Sequence, residues 1–261
     1  MIRVGIGGWD FKPWRGEFYP AGLPQARELE YASRKLTSIE INGTFYRTQK
    51  PESFRKWAGE TPDDFVFSVK APRYATHRRV LAEAGESIQL FFASGVLELG
   101  AKLGPILWQL HPNKKLEPED FAAFLALLPA RLDGRVLRHV VEVRHASFVD
   151  PAFIALARKT AVAIALVDSD KHPLIADLTA DFVYARLQHT SDKEKTGYSP
   201  SMLELWAKRA KIWTDGGVPK DLQTVAGQTP TKQQRDVYIY MIAGAKARAP
   251  AAAMALIEEL H

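Results

Sequence analysis

Glu142 and Arg144 stand two residues apart in one apolar run, a spacing that places both side chains on the same face of a strand. A carboxylate there can transfer a proton while the guanidinium holds a carboxylate or phosphate through two parallel hydrogen bonds. The same pair can instead be a buried ion pair that closes one end of a barrel. Other apolar runs end in polar groups too: Glu40 with Asn42, Ser68 with Lys70, then Gln109, Asp168 and Arg186. Any one of these alone is more simply a structural ion-pair member. Glu40, Lys70, Gln109, Glu142, Arg144, Asp168 and Arg186, all at the same end of their runs, read as a shared site.

The carboxylates Glu40, Glu142 and Asp168 are balanced by Lys70, Arg144 and Arg186. Cations interspersed in this way repel a divalent ion, so the expectation is a site with no metal and no cofactor. Glu142 and Glu40 are the acid/base candidates. Arg144, Arg186 and Lys70 would bind an anionic group, with Asn42, Gln109 and Asp168 orienting it. His145 is either a further acid/base or a loop residue bonding backbone. His77, His111, His189 and Tyr198 lie just beyond the run ends, and Trp9 and Tyr46 could cover a sugar or base by stacking or simply pack the loops. Basic residues at Arg73, Arg78 and Arg79, around His77, could meet phosphates.

What must position these groups is a regular alternation of elements. Strand-like runs occur at 3–8, 38–42, 65–70, 106–109, 139–144, 163–168, 182–186 and 237–241. Helical spacing comes after each, at about 24–36, 51–59, 86–103, 118–128, 151–159, 174–178, 200–213 and 250–260. Pro24, Pro51, Pro118, Pro151, Pro200 and Pro250 open six of the eight, where a missing N–H costs nothing. Such βα units over 261 residues predict an α/β fold, a single (β/α)8 TIM-type barrel domain over residues 1–261 with parallel strands. An open doubly wound sheet is the alternative. In a barrel the run ends meet at the C-terminal mouth, where sites are built. A polar insertion at about 215–236 would join the seventh helix to the eighth strand on the opposite face.

Composition narrows the classes. The chain is 46% hydrophobic and 25% charged, enough apolar material for a large core, and no apolar run is long enough for a membrane helix. With no cysteine, disulfides, thiolate metal sites and cysteine nucleophiles are excluded. A net charge of +5 mildly favours anionic partners. The N-terminal stretch has no export pattern, which makes the cytoplasm the expected location. Gly5-Ile6-Gly7-Gly8-Trp9-Asp10 is not a dinucleotide fingerprint, since Pro13, Gly16 and Pro20 forbid an immediate helix.

Several motifs together resemble the YecE-like family of domains of unknown function. They are Gly5-x-Gly7-Gly8-Trp9 with Phe18-Tyr19-Pro20, Glu40-x-Asn42-x-Thr44-Phe45-Tyr46, Phe65-x-Phe67-x-x-Lys70, Thr76-His77, Lys102-Leu103-Gly104-Pro105-x-Leu107-x-Gln109-Leu110 and Glu142-x-Arg144-His145. The resemblance implies a TIM-type barrel and supplies no reaction. Its eighth strand usually ends in a Tyr-Phe-Asn-Asn-like run, where this chain has Tyr240-Met241-Ile242-Ala243. The functional expectation is a metal-independent enzyme, of hydrolase or isomerase type, with hydrolysis favoured. Its substrate would be a small anionic molecule such as a phosphorylated sugar or nucleotide, or a nucleic-acid end. A non-catalytic nucleic-acid-binding protein and an inactive scaffold are the alternatives, and oligomeric state is left open.

Overall fold

All eight apolar runs become strands of one parallel sheet. A computed structural model describes residues 1–227 and 232–261. The strands are β1 (Ile2–Gly7), β2 (Ser38–Ile41), β3 (Val66–Lys70), β4 (Leu103–Gln109), β5 (His139–Glu142), β6 in two pieces (Ala163–Ile164 and Leu166–Asp168), β7 (Phe182–Leu187) and β8 (Asp236–Met241). Neighbours keep chain order from β1 to β6 and from β6 to β8, and β8 pairs β1 in parallel. The two pieces of β6 sit at opposite ends of the hydrogen-bonded order, one on β5 and the other on β7, with only Ala165 between them. The Ala165 N–H donates to Val141 O at 2.8 Å, so the sheet closes through a single residue of chain. This is the TIM-type barrel that the alternation predicts.

Alternation of side chains splits the core in two. Between sheet and helices lie Trp108, Phe121, Phe124, Trp206 and Trp213. Inside the ring a smaller cluster holds Leu107, Val140, Ala163, Ala165, Val167, Tyr184, Tyr238 and Tyr240. The tyrosines of β7 and β8 need room, and the facing strands provide it with Gly5, Ser38 and Ser68. Ser38 bonds the Tyr240 hydroxyl and Ser68 the Tyr184 hydroxyl, each at 2.7 Å. The interior is thus a filled polar–aromatic plug, as expected where buried hydroxyls must find partners.

Helices Pro51–Gly59, Pro118–Ala126, Pro151–Lys159, Pro200–Thr214 and Ala249–Leu260 match their expected spans to within a residue or two. Asp150 caps its helix by accepting from Ala152 N at 2.8 Å. The expected 24–36 helix opens with the 3-10 stretch Gln25–Arg27 before an α-helix Glu28–Ser33, and the expected 86–103 helix is α-helical over Gly85–Ala93 and then 3-10 over Val96–Lys102. The expected helix at 174–178 does not form. That segment is irregular and buried from Ile175 to Ala180, and Asp177 accepts from Val225 N at 2.6 Å and Ala226 N at 3.0 Å. Part of the 215–236 insertion therefore packs against the segment expected to form the sixth helix. Residues 228–231 of the insertion lie outside the described residues.

Candidate functional site

At the C-terminal end of the ring, β2, β4, β5 and β7 bring their inward polar residues into one hydrogen-bonded group. Arg186 lies at its centre, 2% exposed. Its Nε and NH2 donate to Glu40 Oε2 and Oε1 at 3.0 and 2.9 Å, and its NH1 donates to Glu142 Oε2. Glu142 Oε1 accepts from Arg144 Nε at 2.7 Å and from Gln109 Nε2 at 2.9 Å. Tyr184, two residues before Arg186 and on the same face, donates to Glu40 Oε2 at 2.6 Å. Both glutamates are wholly buried, and all four of their carboxylate oxygens have donors.

These bonds set the electrostatics. Burial alone would raise the Glu142 carboxyl, but the charges of Arg186 and Arg144, with their hydrogen bonds and that of Gln109, hold it down at about 2. Burial would likewise lower the Arg186 pKa, and the Glu142 and Glu40 charges raise it instead. Burial and the charge of Glu40 push the Tyr184 phenol well up, so it stays a donor. The group is buried, and the arginines hold the Glu142 carboxyl away from neutrality.

Two cations at the rim stand apart from this satisfied group. The terminal nitrogens of Arg144, whose side chain is 21% exposed, meet no acceptor among the described residues. Lys70 is 7% exposed, and its Nζ lies 3.8 Å from the centre of the Phe45 ring with no hydrogen bond or ion pair among the described residues. Burial and the Arg186 charge lower it to about 8, against the opposing pull of Glu40 and Glu142. The His77 ring also packs edge-on against Phe45 at 5.2 Å, and His77 packs on His111 at 5.0 Å. Burial, then the neighbouring His111 and the Lys70 charge, lowers the His77 pKa. A cleft of about 410 Å³ opens beside these imidazoles, lined also by Arg78, Arg79, Lys115 and Glu117.

The remaining expected residues are more scattered. Asn42 lies at the mouth with its Nδ2 3.4 Å from Glu40 O, and Tyr46 is 68% exposed on the rim, edge-on to Phe45. Trp9 turns the other way, packing edge-on against Trp57 at 5.2 Å and near Phe67 in the outer layer. His145 caps the Ala146–Phe148 turn, its Nδ1 accepting from Ser147 N at 3.1 Å. Asp168 is not brought to the arginines. It is in register with the outward Leu187, whereas Val167 is in register with Arg186, so the inner face of β6 carries Ala163, Ala165 and Val167. Its carboxylate lies 3.3 Å from His189 Nδ1 in poor alignment for a hydrogen bond. His172, which the sequence does not single out, sits beside Arg144, whose charge lowers its pKa after burial, with Nδ1 buried and without a hydrogen-bond partner among the described residues. It lies on an irregular loop with no periodicity to flag it. Tyr184 was legible from its spacing to Arg186.

No group of three His, Cys, Asp or Glu side chains among the described residues is arranged to hold a metal ion. No described helix is long and apolar enough to cross a membrane.

Residues 3–261 match a family model described as "Protein of unknown function DUF72". The UPF0759 protein YecE of Escherichia coli K12 is 28% identical over 151 residues, 57% of this chain and 50% of that protein. The UPF0759 protein YunF of Bacillus subtilis 168 is 32% identical over 127 residues, 47% of this chain and 44% of that protein. The chain thus spans about half the length of the curated relatives it matches. A DUF72 family protein from Thermotoga maritima, solved by crystallography, superposes with a TM-score of 0.76 over 100% of this chain and 99% of that one, at 22% identity. That likeness concerns the fold.

Proposed function

The chain belongs to the DUF72 family of proteins of unknown function, and on that premise we propose that it is an enzyme acting on a small anionic substrate at the C-terminal mouth of its barrel. One observation carries the reading. The two buried carboxylates are held by Arg186, Arg144 Nε, Gln109 and Tyr184, while the terminal nitrogens of Arg144 and Lys70 Nζ have no acceptor among the described residues, leaving one positive charge in excess when Lys70 is protonated. An uncompensated cation in a dry site costs stability unless something else requires it, and an arriving carboxylate or phosphate would meet it. Glu40 and Glu142 then serve to hold Arg186 and to aim Arg144, and proton transfer passes to groups nearer the rim, Lys70 and His77. No metal is needed for this arrangement, because the carboxylates that would bind one already accept from guanidinium groups. Hydrolysis and isomerisation of a phosphorylated sugar or nucleotide both remain within this class.

Titration calorimetry with inorganic phosphate tests the reading directly. Binding should weaken at least about tenfold in Arg144→Ala, which removes a two-pronged donor. Phosphate binding unchanged in that variant, or absent from the wild type, would overturn the proposal. The basic cleft beside His77 supports a second reading, binding of a nucleic-acid strand, because Arg79 and Lys115 make no ion pair among the described residues. That reading requires a steep loss of affinity with salt.

A further inference from the structure

We propose that Lys70 is a nucleophilic amine that condenses with the carbonyl group of an anionic aldehyde or ketone, forming a transient imine while Arg144 holds the carboxylate or phosphate of the same molecule. The inference rests on the reading of the mouth as an anion site and names the reacting group and the substrate class.

Of the other three described lysines that are not exposed, Lys246 rests on the Phe11 ring at 4.4 Å, and the remaining two are tied down by hydrogen bonds. Lys102 Nζ donates to Ala58 O, Thr61 O and Thr61 Oγ1 at 2.6 to 3.2 Å, and Lys114 Nζ to Arg79 O and Asp120 Oδ2 at 2.7 Å. Lys70 is as buried as Lys114, 7% against 8%, and has no such anchor. The carboxylates that act on it, Glu40 and Glu142, have their oxygens turned to Arg186, Arg144, Gln109 and Tyr184. What holds the ammonium is the face of Phe45, which steadies a cation without accepting its protons. The amine therefore stays chemically available at the end of β3, on a rigid strand rather than on a mobile loop.

Burial, with the charges of Arg186 and, to a lesser extent, Arg144, favours the neutral amine over the opposing pull of Glu40 and Glu142. With its pKa at about 8, roughly a tenth of Lys70 is neutral at pH 7, far more than for an ordinary lysine. That nitrogen lone pair attacks the carbonyl carbon, forming a C–N bond and giving a carbinolamine. The carbonyl oxygen then leaves as water with the two amine protons, giving the imine. Addition of water reverses the sequence and frees the amine, and no oxidant or reductant is consumed. Protonated, the imine withdraws electrons from the adjacent carbon, which suits isomerisation or carbon–carbon cleavage. His77, packed on the same Phe45 ring and shifted toward its neutral form, supplies a base at the rim.

Pyridoxal 5′-phosphate, which combines an aldehyde with a phosphate, is the probe, with borohydride reduction to fix the imine and peptide mass mapping to locate it. Lys70 should be modified at least about tenfold faster than the exposed Lys35 and Lys159, with inorganic phosphate protecting it and the rate rising through pH 8 rather than 10.5. Lys70→Arg keeps the charge and should bind phosphate with no label at position 70. Lys70→Met should melt no lower than the wild type, whereas a purely structural lysine would lower the melting temperature on removal. Phosphate bound with Lys70 labelled no faster than Lys35 would overturn the imine and leave the anion site standing. Neither phosphate nor the probe binding would overturn both.

Discussion

Glu142 keeps its negative charge where no water reaches it. The compensation comes from Arg186, Arg144 and Gln109, and it has a consequence for acid stability. The unfolded carboxyl titrates near 4.5 and the folded one at about 2, so its stabilising contribution is complete above pH 4.5 and is lost as pH falls toward 2. The amount at stake is roughly 3 kcal/mol. Urea unfolding of the wild type should show this decline between pH 4.5 and about 2.5. In Glu142→Gln the stability at pH 7 should be about 3–5 kcal/mol lower, because Arg186 loses one of its two anions, and the acid decline should be flatter. An acid profile identical to that of the wild type would remove Glu142 from the account. At this scale the sequence was partly readable. The Glu142–Arg144 contact comes from their spacing on one face. The Arg186–Glu40 contact joins β7 to β2 across the ring, a pairing that no local spacing encodes.

Among the elements, the helix Pro151–Lys159 ends in a strained turn. Ala161 has φ of 53°, in the left-handed region where a Cβ is unfavourable. Ala161→Gly should stabilise the protein by about 0.5–1 kcal/mol, raising the melting temperature by roughly 1–4 °C. A drop in melting temperature would show that the turn tolerates the methyl group. Strand positions and five helices were legible because hydrophobic period and proline punctuation agree at those places. The failures concern β6 and the segment after it. The inner face of β6 is entirely small and apolar, so counting back from a polar end assigned Asp168 to the wrong side. The short apolar stretch 174–178 could not be told from a helix turn by its period. Tertiary contact decides it, since Asp177 is held by the backbone of Val225 and Ala226. Trp9 shows the same override, because Trp57 and Phe67 offer it a packed place in the outer layer.

For the whole molecule the tightest constraint lies below the arginine group, where β1 and β2 approach. A Cβ built on Gly5 would stand 1.9 Å from Ser38 O, a backbone atom that cannot step aside. Gly5→Ala should cost more than about 4 kcal/mol and leave little folded protein, measured as soluble yield and far-ultraviolet dichroism. Normal yield and melting would mean that the two strands can separate without opening the barrel. The same β1 has its other edge on β8, in register from Ile2 with Val237 to Ile6 with Met241. This seam joins parts of the chain more than two hundred residues apart in sequence. Chain synthesis delivers β1 before β8, so one edge of β1 stays unmatched until β8 has been made. Closure of the barrel is consequently a late event in synthesis, limited by the search of β8 for a strand more than two hundred residues before it and with exposed strand edges as the hazard of the interval.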